Sequence, residues 1–193
     1  NVSGLLYGGG LSANNALHLK ADYRQLIYNI IEHFIMTYQA DIVFVPFVFG
    51  ANADGQCDVM AGRRIFRGVR HKLYNNLRFI DGVFDENEMK ALIGKCDFFI
   101  GSRVEACIAA MSQCIPSIAL AYSRRSGAVF GSIGLEGLAI DMETCDEKSI
   151  VERLDEAYRH REALRAQLGS KIPSLQAFVM DLFDRLKLGY GAQ

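Results

Sequence analysis

Three arginines lie in two short loops near the middle of the chain. Arg103 belongs to the segment GSRVE, and Arg124 and Arg125 belong to the segment YSRR. A guanidinium group presents several donors in a planar fork that matches a carboxylate or a phosphate. If the two loops lie together, these side chains form an anion site, and we include the neighbouring Ser102 and Ser123 in it.

The segment from Lys95 to Arg125 explains why the two loops should meet. The apolar run 98–100 predicts a buried strand, residues 104–111 predict a helix that Ser102 is placed to cap, and residues 118–121 predict a second strand. Both loops then leave the carboxyl ends of parallel strands, where ligands bind in open α/β sheets. The start of a helix at the same place also favours an anion.

The rest of the chain alternates between the same two kinds of element. Further strands are predicted at 1–6, 41–48, 77–80 and 138–141. Further helices are predicted at 22–38, 59–73, 86–94, 146–168 and 174–188, the last of them covering the sheet with its apolar positions, and residues 126–135 are predicted as a short helix or turn. The pattern predicts an α/β fold: a Rossmann-like, doubly wound sheet of about six parallel strands.

Composition restricts the class of protein. The 193 residues, half of them hydrophobic, predict one globular domain over 1–193. A net charge of −1 gives no support for nucleic-acid binding, even though the predicted helix 59–73 is basic. No apolar run approaches the roughly 20 residues that cross a bilayer, and no signal peptide is visible.

The cysteines and acidic residues give little sign of a metal. Five cysteines without CxxC spacing predict reduced thiols in a cytoplasmic protein. Asn52, Asp54 and Asp58 lack the spacing of a calcium loop and are interpreted as turn and cap residues. We therefore predict no metal site. Because the chain opens directly on strand-like sequence, we also expect it to be part of a longer protein.

Several stretches together resemble the polysaccharide pyruvyl transferase family. They are NVSGLLY at the start, the asparagine-bearing loop before the helix 22–38, VPFVFG with its acidic follow-on, KCDFFIGSRVEACIAAMSQCIPSIALAYSRR and GSIGL. The resemblance implies one half of a GT-B-like fold, here the carboxyl-terminal half, with the amino-terminal half of the same protein as its partner. It also implies transfer of a pyruvyl group from phosphoenolpyruvate to a glycan or lipid-linked sugar acceptor of cell-surface polysaccharide, with no further cofactor.

The resemblance assigns roles to particular residues. Arg103 matches the arginine of an Arg-x-His motif, but Glu105 stands at the histidine position, and Phe47 stands where family members often have histidine. Catalysis is therefore expected from Arg103 and Glu105. The loop asparagines Asn15 and Asn52 are further candidates for substrate contact.

Other interpretations stay open. Glu105 replaces the histidine as the acid, or the protein keeps the anion site for another donor or acceptor, or it binds without turnover. A carboxylate in a first helical turn is also explained by the helix dipole alone. A different class, the GT-B-like nucleotide-sugar glycosyltransferases and epimerases, would use a glutamate to hold a ribose, for which Glu136 is the candidate. A non-catalytic anion-binding domain is the third possibility.

Overall fold

A computed structural model describes residues 1–9, 15, 17–49, 57–70 and 75–190, with the backbone alone at 70, 124–126 and 187–190. In chain order the elements are α1 (Gly4–Tyr7), α2 (Tyr23–Tyr38), β1 (Ile42–Phe44), α3 (Asp58–Arg70), β2 (Leu77–Phe79), α4 (Glu86–Ile93), β3 (Phe99–Gly101), α5 (Val104–Met111), β4 (Ser117–Ala121), α6 (Arg124–Ser132), a 3₁₀ helix (Glu136–Leu138), β5 (Ala139–Asp141), α7 (Glu147–Arg159) and α8 (Arg161–Tyr190).

Every strand pair in this part of the chain is parallel. β1 pairs with β2, and β3, β4 and β5 form a second sheet in that order. Parallel strands that alternate with helices confirm the predicted α/β class. The prediction of one sheet of about six strands is wrong for the described residues, because β1 and β3 are not hydrogen-bonded to each other and a cavity of about 410 Å³ lies between them.

α2 confirms the clearest sequence prediction. Asp22 caps it by accepting a hydrogen bond from the Gln25 N–H at 2.9 Å, and the helix ends at Gln39 in the left-handed conformation. Its apolar stripe is buried in the core: Tyr23, Leu26, Ile27, Ile30, Ile31, Phe34 and Ile35. The 3.6-residue period of that stripe is what made the helix predictable.

The unit β3–α5–β4 is also present as predicted. Ala106 and Ala110 are fully buried, so α5 lies close against the sheet. Gly101 ends β3 where a Cβ atom would lie 2.5 Å from the Cys107 Sγ atom, which excludes any larger residue without a rearrangement. The predicted cap is wrong: Arg103, not Ser102, is the N-cap residue of α5, and it makes no side-chain capping bond.

The predicted strand at 1–6 is a short helix instead. Ser3 caps α1 by accepting from the Leu6 N–H, and the turn buries Leu6 in the core. Only Asn1 keeps strand-like bonds, because its N–H₃⁺ group donates to the Ile100 carbonyl and its own carbonyl accepts from the Ser102 N–H. The local capping bond outweighs the strand propensity of the apolar residues.

The carboxyl-terminal helices differ from the prediction in two ways. The predicted helix 146–168 is interrupted at His160, and the predicted helix 174–188 is continuous with α8, which contains Pro173. Leu168 and Ile172 are buried, but the apolar residues beyond them are not: Phe178, Val179, Leu182, Phe183 and Leu186 are each about half exposed or more. The prediction that they cover the sheet is wrong, since only the first half of α8 reaches the core.

Three properties of the described residues bear on the expected class. None of their helices is long and apolar enough to cross a membrane. Within the same residues, no group of three or more histidine, cysteine or acidic side chains is placed to hold a metal ion. All five cysteines are free thiols, and burial raises the pKa of the Cys107 thiol to about 11.

Candidate functional site

The two arginine-bearing loops leave the same edge of the second sheet. β3 and β4 are parallel neighbours, with Gly101 opposite Ala119. Gly101 is followed by α5 after two residues, and Ala121 is followed by α6 after two residues. Two helices therefore begin beside each other at the carboxyl ends of adjacent strands, as the sequence predicts. This edge, with the loops 102–103 and 122–123, is the candidate site.

Arg103 is held by a buried carboxylate that comes from another part of the chain. Its Nη2 atom donates to Asp58 Oδ1 at 2.8 Å, and its Nε atom lies 3.2 and 3.4 Å from the two carboxylate oxygens. The Asp58 side chain is fully buried, whereas 12% of the Arg103 side chain is exposed. Burial alone would lower the pKa of Arg103, but the hydrogen bonds and charge of Asp58 outweigh it and raise that pKa.

Asp58 also organises the backbone around it. As the first residue of α3, it receives the Gly4 N–H at 2.9 Å, the Val48 N–H at 3.1 Å and the Phe47 N–H at 3.4 Å. The Asn1 side-chain amide adds a fourth donor at 3.3 Å. One carboxylate thus ties the loop after β1, the start of α1 and Arg103 into one structure, and these donors compensate the cost of burying its charge.

Ser102 belongs to a buried chain of hydroxyl groups beneath the site. Its Oγ atom lies 2.8 Å from the Tyr23 hydroxyl oxygen, which also accepts the Ser3 N–H at 2.9 Å. Ser102 is 2% exposed, and burial raises the pKa of Tyr23 well above its ordinary value. The neutral phenol therefore fixes Ser102 to α2, and Ser102 supports the loop from below.

Glu105 and Ser123 lie nearer the surface. Glu105 is exposed in the first turn of α5, two residues after Arg103. Ser123 is partly buried directly before α6.

The remaining predicted residues divide into two groups. Asn15 stabilises a local turn. Its side-chain amide donates to the Leu19 carbonyl and its side-chain carbonyl accepts from the Leu19 N–H, both at 3.0 Å. The side chains of Arg124 and Arg125, and the whole of Asn52, lie outside the described residues, so these three assignments stay predictions.

Glu136 lies at the opposite edge of the second sheet from Arg103. It begins the 3₁₀ helix that precedes β5 and lines an open cavity of about 570 Å³ with Arg153 and His160. The segment before a parallel strand lies at the amino-terminal edge of the sheet, whereas Arg103 lies at the carboxyl-terminal edge. Glu136 and Arg103 are therefore not placed to hold one small ligand together.

Sequence reasoning missed the residue on which the geometry depends. The sequence predicts Asp58 chiefly as a turn or cap residue and Tyr23 as part of an apolar stripe, and neither is among the predicted site residues. The available signal for Asp58 was its position in the acidic segment that follows the VPFVFG stretch at the end of a predicted strand. Nothing local to Tyr23 indicated that its hydroxyl group would reach a loop 79 residues away.

Comparison with known proteins agrees with the resemblance in the sequence. The family model described as "Polysaccharide pyruvyl transferase" matches residues 9–124, which include Asp58, Arg103 and the loop before α6. The amylovoran biosynthesis protein AmsJ of Erwinia amylovora is 24% identical over 95 residues, which is 49% of this chain and 23% of that protein. No solved structure matches significantly. The match over more than half of the chain shows that it belongs to the polysaccharide pyruvyl transferase family.

Proposed function

We propose that the protein transfers a pyruvyl group from phosphoenolpyruvate to two hydroxyl groups of a sugar in a cell-surface polysaccharide or its lipid-linked precursor. The methylene carbon of the donor gains a proton, one sugar oxygen bonds to the adjacent carbon, phosphate leaves with the oxygen that joined it, and the second sugar oxygen closes a ketal. Of the two hydroxyl protons, one balances the new methyl group and one leaves on hydrogen phosphate. The family match across Arg103 is the observation that carries the proposal.

The candidate edge is suited to the charges of this donor. Phosphoenolpyruvate has a carboxylate and a phosphate, and Arg103 precedes α5, where the positive end of the helix dipole favours an anion. Asp58 fixes the orientation of the guanidinium group through its hydrogen bonds to Nε and Nη2. We assign the donor to this edge, with Arg124, Arg125 and Ser123 as further contacts and Ser102 as the residue that positions the loop.

Glu105 is proposed to limit the reaction. A general acid must give up a proton at the working pH, and a carboxyl group does so efficiently only when apolar surroundings favour its neutral form. Glu105 is exposed in the first turn of α5 and so lacks that enclosure. We therefore propose weak or altered pyruvyl transfer compared with a protein that has histidine at this position.

The other parts of the proposal follow from the family and from position. The acceptor glycan is expected to contact both this edge and an amino-terminal half of the same protein, in the cytoplasm, with no cofactor besides the donor. The name of the Erwinia relative, which refers to amylovoran biosynthesis, supports a role in the synthesis of an exopolysaccharide. The distance of Glu136 from Arg103 across the sheet does not favour the nucleotide-sugar alternative.

Donor binding tests the proposal directly. The complete protein is titrated with phosphoenolpyruvate and, separately, with UDP-sugars, while its thermal midpoint is measured. Phosphoenolpyruvate should raise the midpoint and UDP-sugars should not. With an acceptor glycan, release of inorganic phosphate should match the appearance of a pyruvate ketal methyl signal by NMR. Stabilisation by UDP-sugars alone, or by neither ligand, would contradict the proposal.

A pair of conservative variants locates the donor. Arg103→Lys keeps the positive charge but loses the planar fork, so it should weaken phosphoenolpyruvate binding by about tenfold or more. Arg153→Lys makes the same change at an exposed arginine on the opposite edge of the sheet, in the cavity beside Glu136, and should leave binding unchanged. If the two variants weaken phosphoenolpyruvate binding equally, the assignment of the donor to the candidate edge is wrong.

A further inference from the structure

Three exposed arginines on α2 and α3 have no acidic partner in the part of the chain that the structure describes. Arg24 lies on α2, and Arg64 and Arg67 lie three residues apart on one face of α3. None of the three belongs to an ion pair among the described residues. Arg63 differs, because it is paired with Asp81. One face of the basic helix α3 is therefore left without a neutralising charge.

The Tyr7 ring brings two of these arginines together. The guanidinium carbon of Arg24 lies 4.3 Å from the centre of the ring, and that of Arg64 lies 6.0 Å from it. Arg24 Nε also donates to the Tyr7 carbonyl at 2.9 Å, which holds this side chain in place. The ring attracts each cation, but the two like charges repel each other. An anion that contacts both guanidinium groups would relieve this repulsion, so the arrangement is suited to a negatively charged ligand.

A second tyrosine lies beside the same arginines. Tyr28 is one turn after Arg24 on α2, and a Cβ atom on Gly68 of α3 would lie 2.4 Å from the Tyr28 hydroxyl oxygen. Gly68 is one turn after Arg64, so the missing side chain lets the phenol of Tyr28 reach α3 beside that arginine. We call this group the arginine–tyrosine patch; its members are Tyr7, Arg24, Tyr28, Arg64 and Arg67. It combines charged donors with phenol groups that can bond to sugar hydroxyls.

The patch lies next to the candidate edge. Helices α1, α2 and α3 all begin there, where Gly4, Tyr23 and Asp58 take part in its hydrogen bonds. Arg24 directly follows Tyr23 in the chain, and Arg64 is about 9 Å along the axis of α3 from Asp58. One glycan chain of a few sugars could therefore contact both the candidate edge and the patch.

We propose that the arginine–tyrosine patch binds a carboxylate-bearing sugar of the acceptor glycan, close to the sugar that receives the pyruvyl group. This inference rests on the proposed function, which assigns the acceptor to the candidate edge. The proposed reaction itself produces such sugars, because the ketal keeps the carboxylate of the donor. A uronic acid offers the same group. The forked donors of Arg24 and Arg64 match a carboxylate, and the phenols supply neutral hydrogen bonds beside it.

A phospholipid surface fits the patch less well. Binding to anionic lipid through charge commonly uses clusters of about four to eight basic residues, and stable anchoring needs a second signal such as inserted apolar side chains. The patch has three arginines. In the described part of α3, Met60 is the only large apolar side chain that is exposed. A nucleic acid is not favoured either, since the chain has a net charge of −1.

Binding of one glycan in three chemical forms tests the proposal. Oligosaccharides from the exopolysaccharide of the producing cell are used as isolated, after mild acid has removed pyruvate ketals, and after reduction of every carboxylate to an alcohol. The isolated form should bind the complete protein about tenfold or more tightly than the reduced form, and added salt should weaken this preference. Loss of the preference after acid treatment identifies the ketal as the bound group, whereas its persistence identifies a uronic acid.

A matched pair of variants locates the binding site. Arg64→Gln removes an unpaired charge and should weaken binding of the isolated oligosaccharides about fivefold, and its combination with Arg24→Gln should weaken binding about tenfold or more. Arg63→Gln makes the same change at the neighbouring arginine, which Asp81 neutralises, and should change the affinity by less than about twofold. Binding of the reduced oligosaccharides should be the same in all of these variants.

Three results would overturn the proposal. The isolated and reduced oligosaccharides bind equally well, or Arg63→Gln and Arg64→Gln have equal effects, or the double variant loses binding to phosphatidylglycerol vesicles but not to the oligosaccharides. The last result would assign the patch to a lipid surface. These are equilibrium measurements without the donor. Their failure is therefore distinct from failure of the proposed function, which is measured by phosphoenolpyruvate binding and phosphate release.

Discussion

Asp58 and Arg103, 45 positions apart in the sequence, form a buried ion pair with 2.8 Å between Asp58 Oδ1 and Arg103 Nη2. The carboxylate belongs to the first turn of α3 and the guanidinium group to the residue that precedes α5. The pair therefore fastens the β1–β2 part of the fold to the β3–β4–β5 part at the edge where the candidate site lies. It serves both the stability of the fold and the geometry of the site.

The two partners of this pair should not be equally costly to remove. Arg103→Ala leaves one buried charge without its cation and should lower the free energy of unfolding by about 3–5 kcal/mol. Asp58→Ala should cost more, because it also removes the acceptor of the Gly4, Phe47 and Val48 N–H groups. Arg103→Lys should lose the least unfolding free energy of the three variants. Urea unfolding of all three measures this order of stability.

A double variant provides the control for that order. If the pair acts as described, Asp58→Asn combined with Arg103→Met should be less destabilising than the sum of its single changes, because neither charge is left alone. Strict additivity of the two substitutions would show that the ion pair does not couple the two parts of the fold.

The identity of residue 105 should control the rate of pyruvyl transfer. Glu105→His restores the acid expected from the family motif and should raise turnover of phosphoenolpyruvate with a suitable acceptor glycan. Glu105→Gln should change little, because the exposed carboxylate is not proposed to act as the acid. Initial rates of phosphate release measure both effects. Loss of a robust activity in Glu105→Gln would instead identify Glu105 as the working acid.

The Tyr23 hydroxyl group should stabilise the fold by more than an average surface hydrogen bond does. Tyr23→Phe leaves the buried Ser3 N–H and the Ser102 hydroxyl without the oxygen that they share, and should cost about 1–3 kcal/mol of unfolding free energy. A cycle with Ser102→Ala is the measurement: the second substitution should cost less once the first is present. Independent effects would mean that the two hydroxyls do not act as one unit.

The contacts of the Asp155 carboxylate predict how the stability of the fold depends on pH. Asp155 on α7 accepts hydrogen bonds from Tyr38 at 2.6 Å and His33 at 2.7 Å on α2, and pairs with Arg159 at 2.7 Å. Burial alone would raise the pKa of Asp155, but these partners outweigh it and lower that pKa. Since the folded value is below the unfolded value of about 3.9, the stabilisation is complete above about pH 4 and is lost as the pH falls through the lower folded value.

The comparison of Asp155→Asn with the original chain checks this sign. The difference in urea midpoint should be large near neutral pH and should shrink in acid, below about pH 4. Glu152→Gln, on the exposed side of the same helix, serves as the matched control and should give a small difference throughout. A deficit in Asp155→Asn that stays constant into acid would contradict the assignment.

Local patterns in the sequence determined the elements and the class of fold. The stripe of α2 has an unbroken helical period, and a capping aspartate precedes it, so its bounds were predictable within a residue. The small residues of α5 and the apolar runs on either side of it likewise fixed the β3–α5–β4 unit. These signals are local, and their alternation was enough to predict parallel strands and a shared edge for the GSRVE and YSRR loops.

Tertiary structure alone decided what each polar side chain near that edge does. The sequence placed Arg103 in a loop, but its partner is Asp58 and not a neighbour in the chain, because a buried guanidinium group takes whichever carboxylate the packing brings within reach. Tyr23 and Ser102 meet in the same way across 79 positions. The division into two sheets could not be predicted from the sequence either. The apolar pattern of a buried strand is the same whichever strand lies next to it.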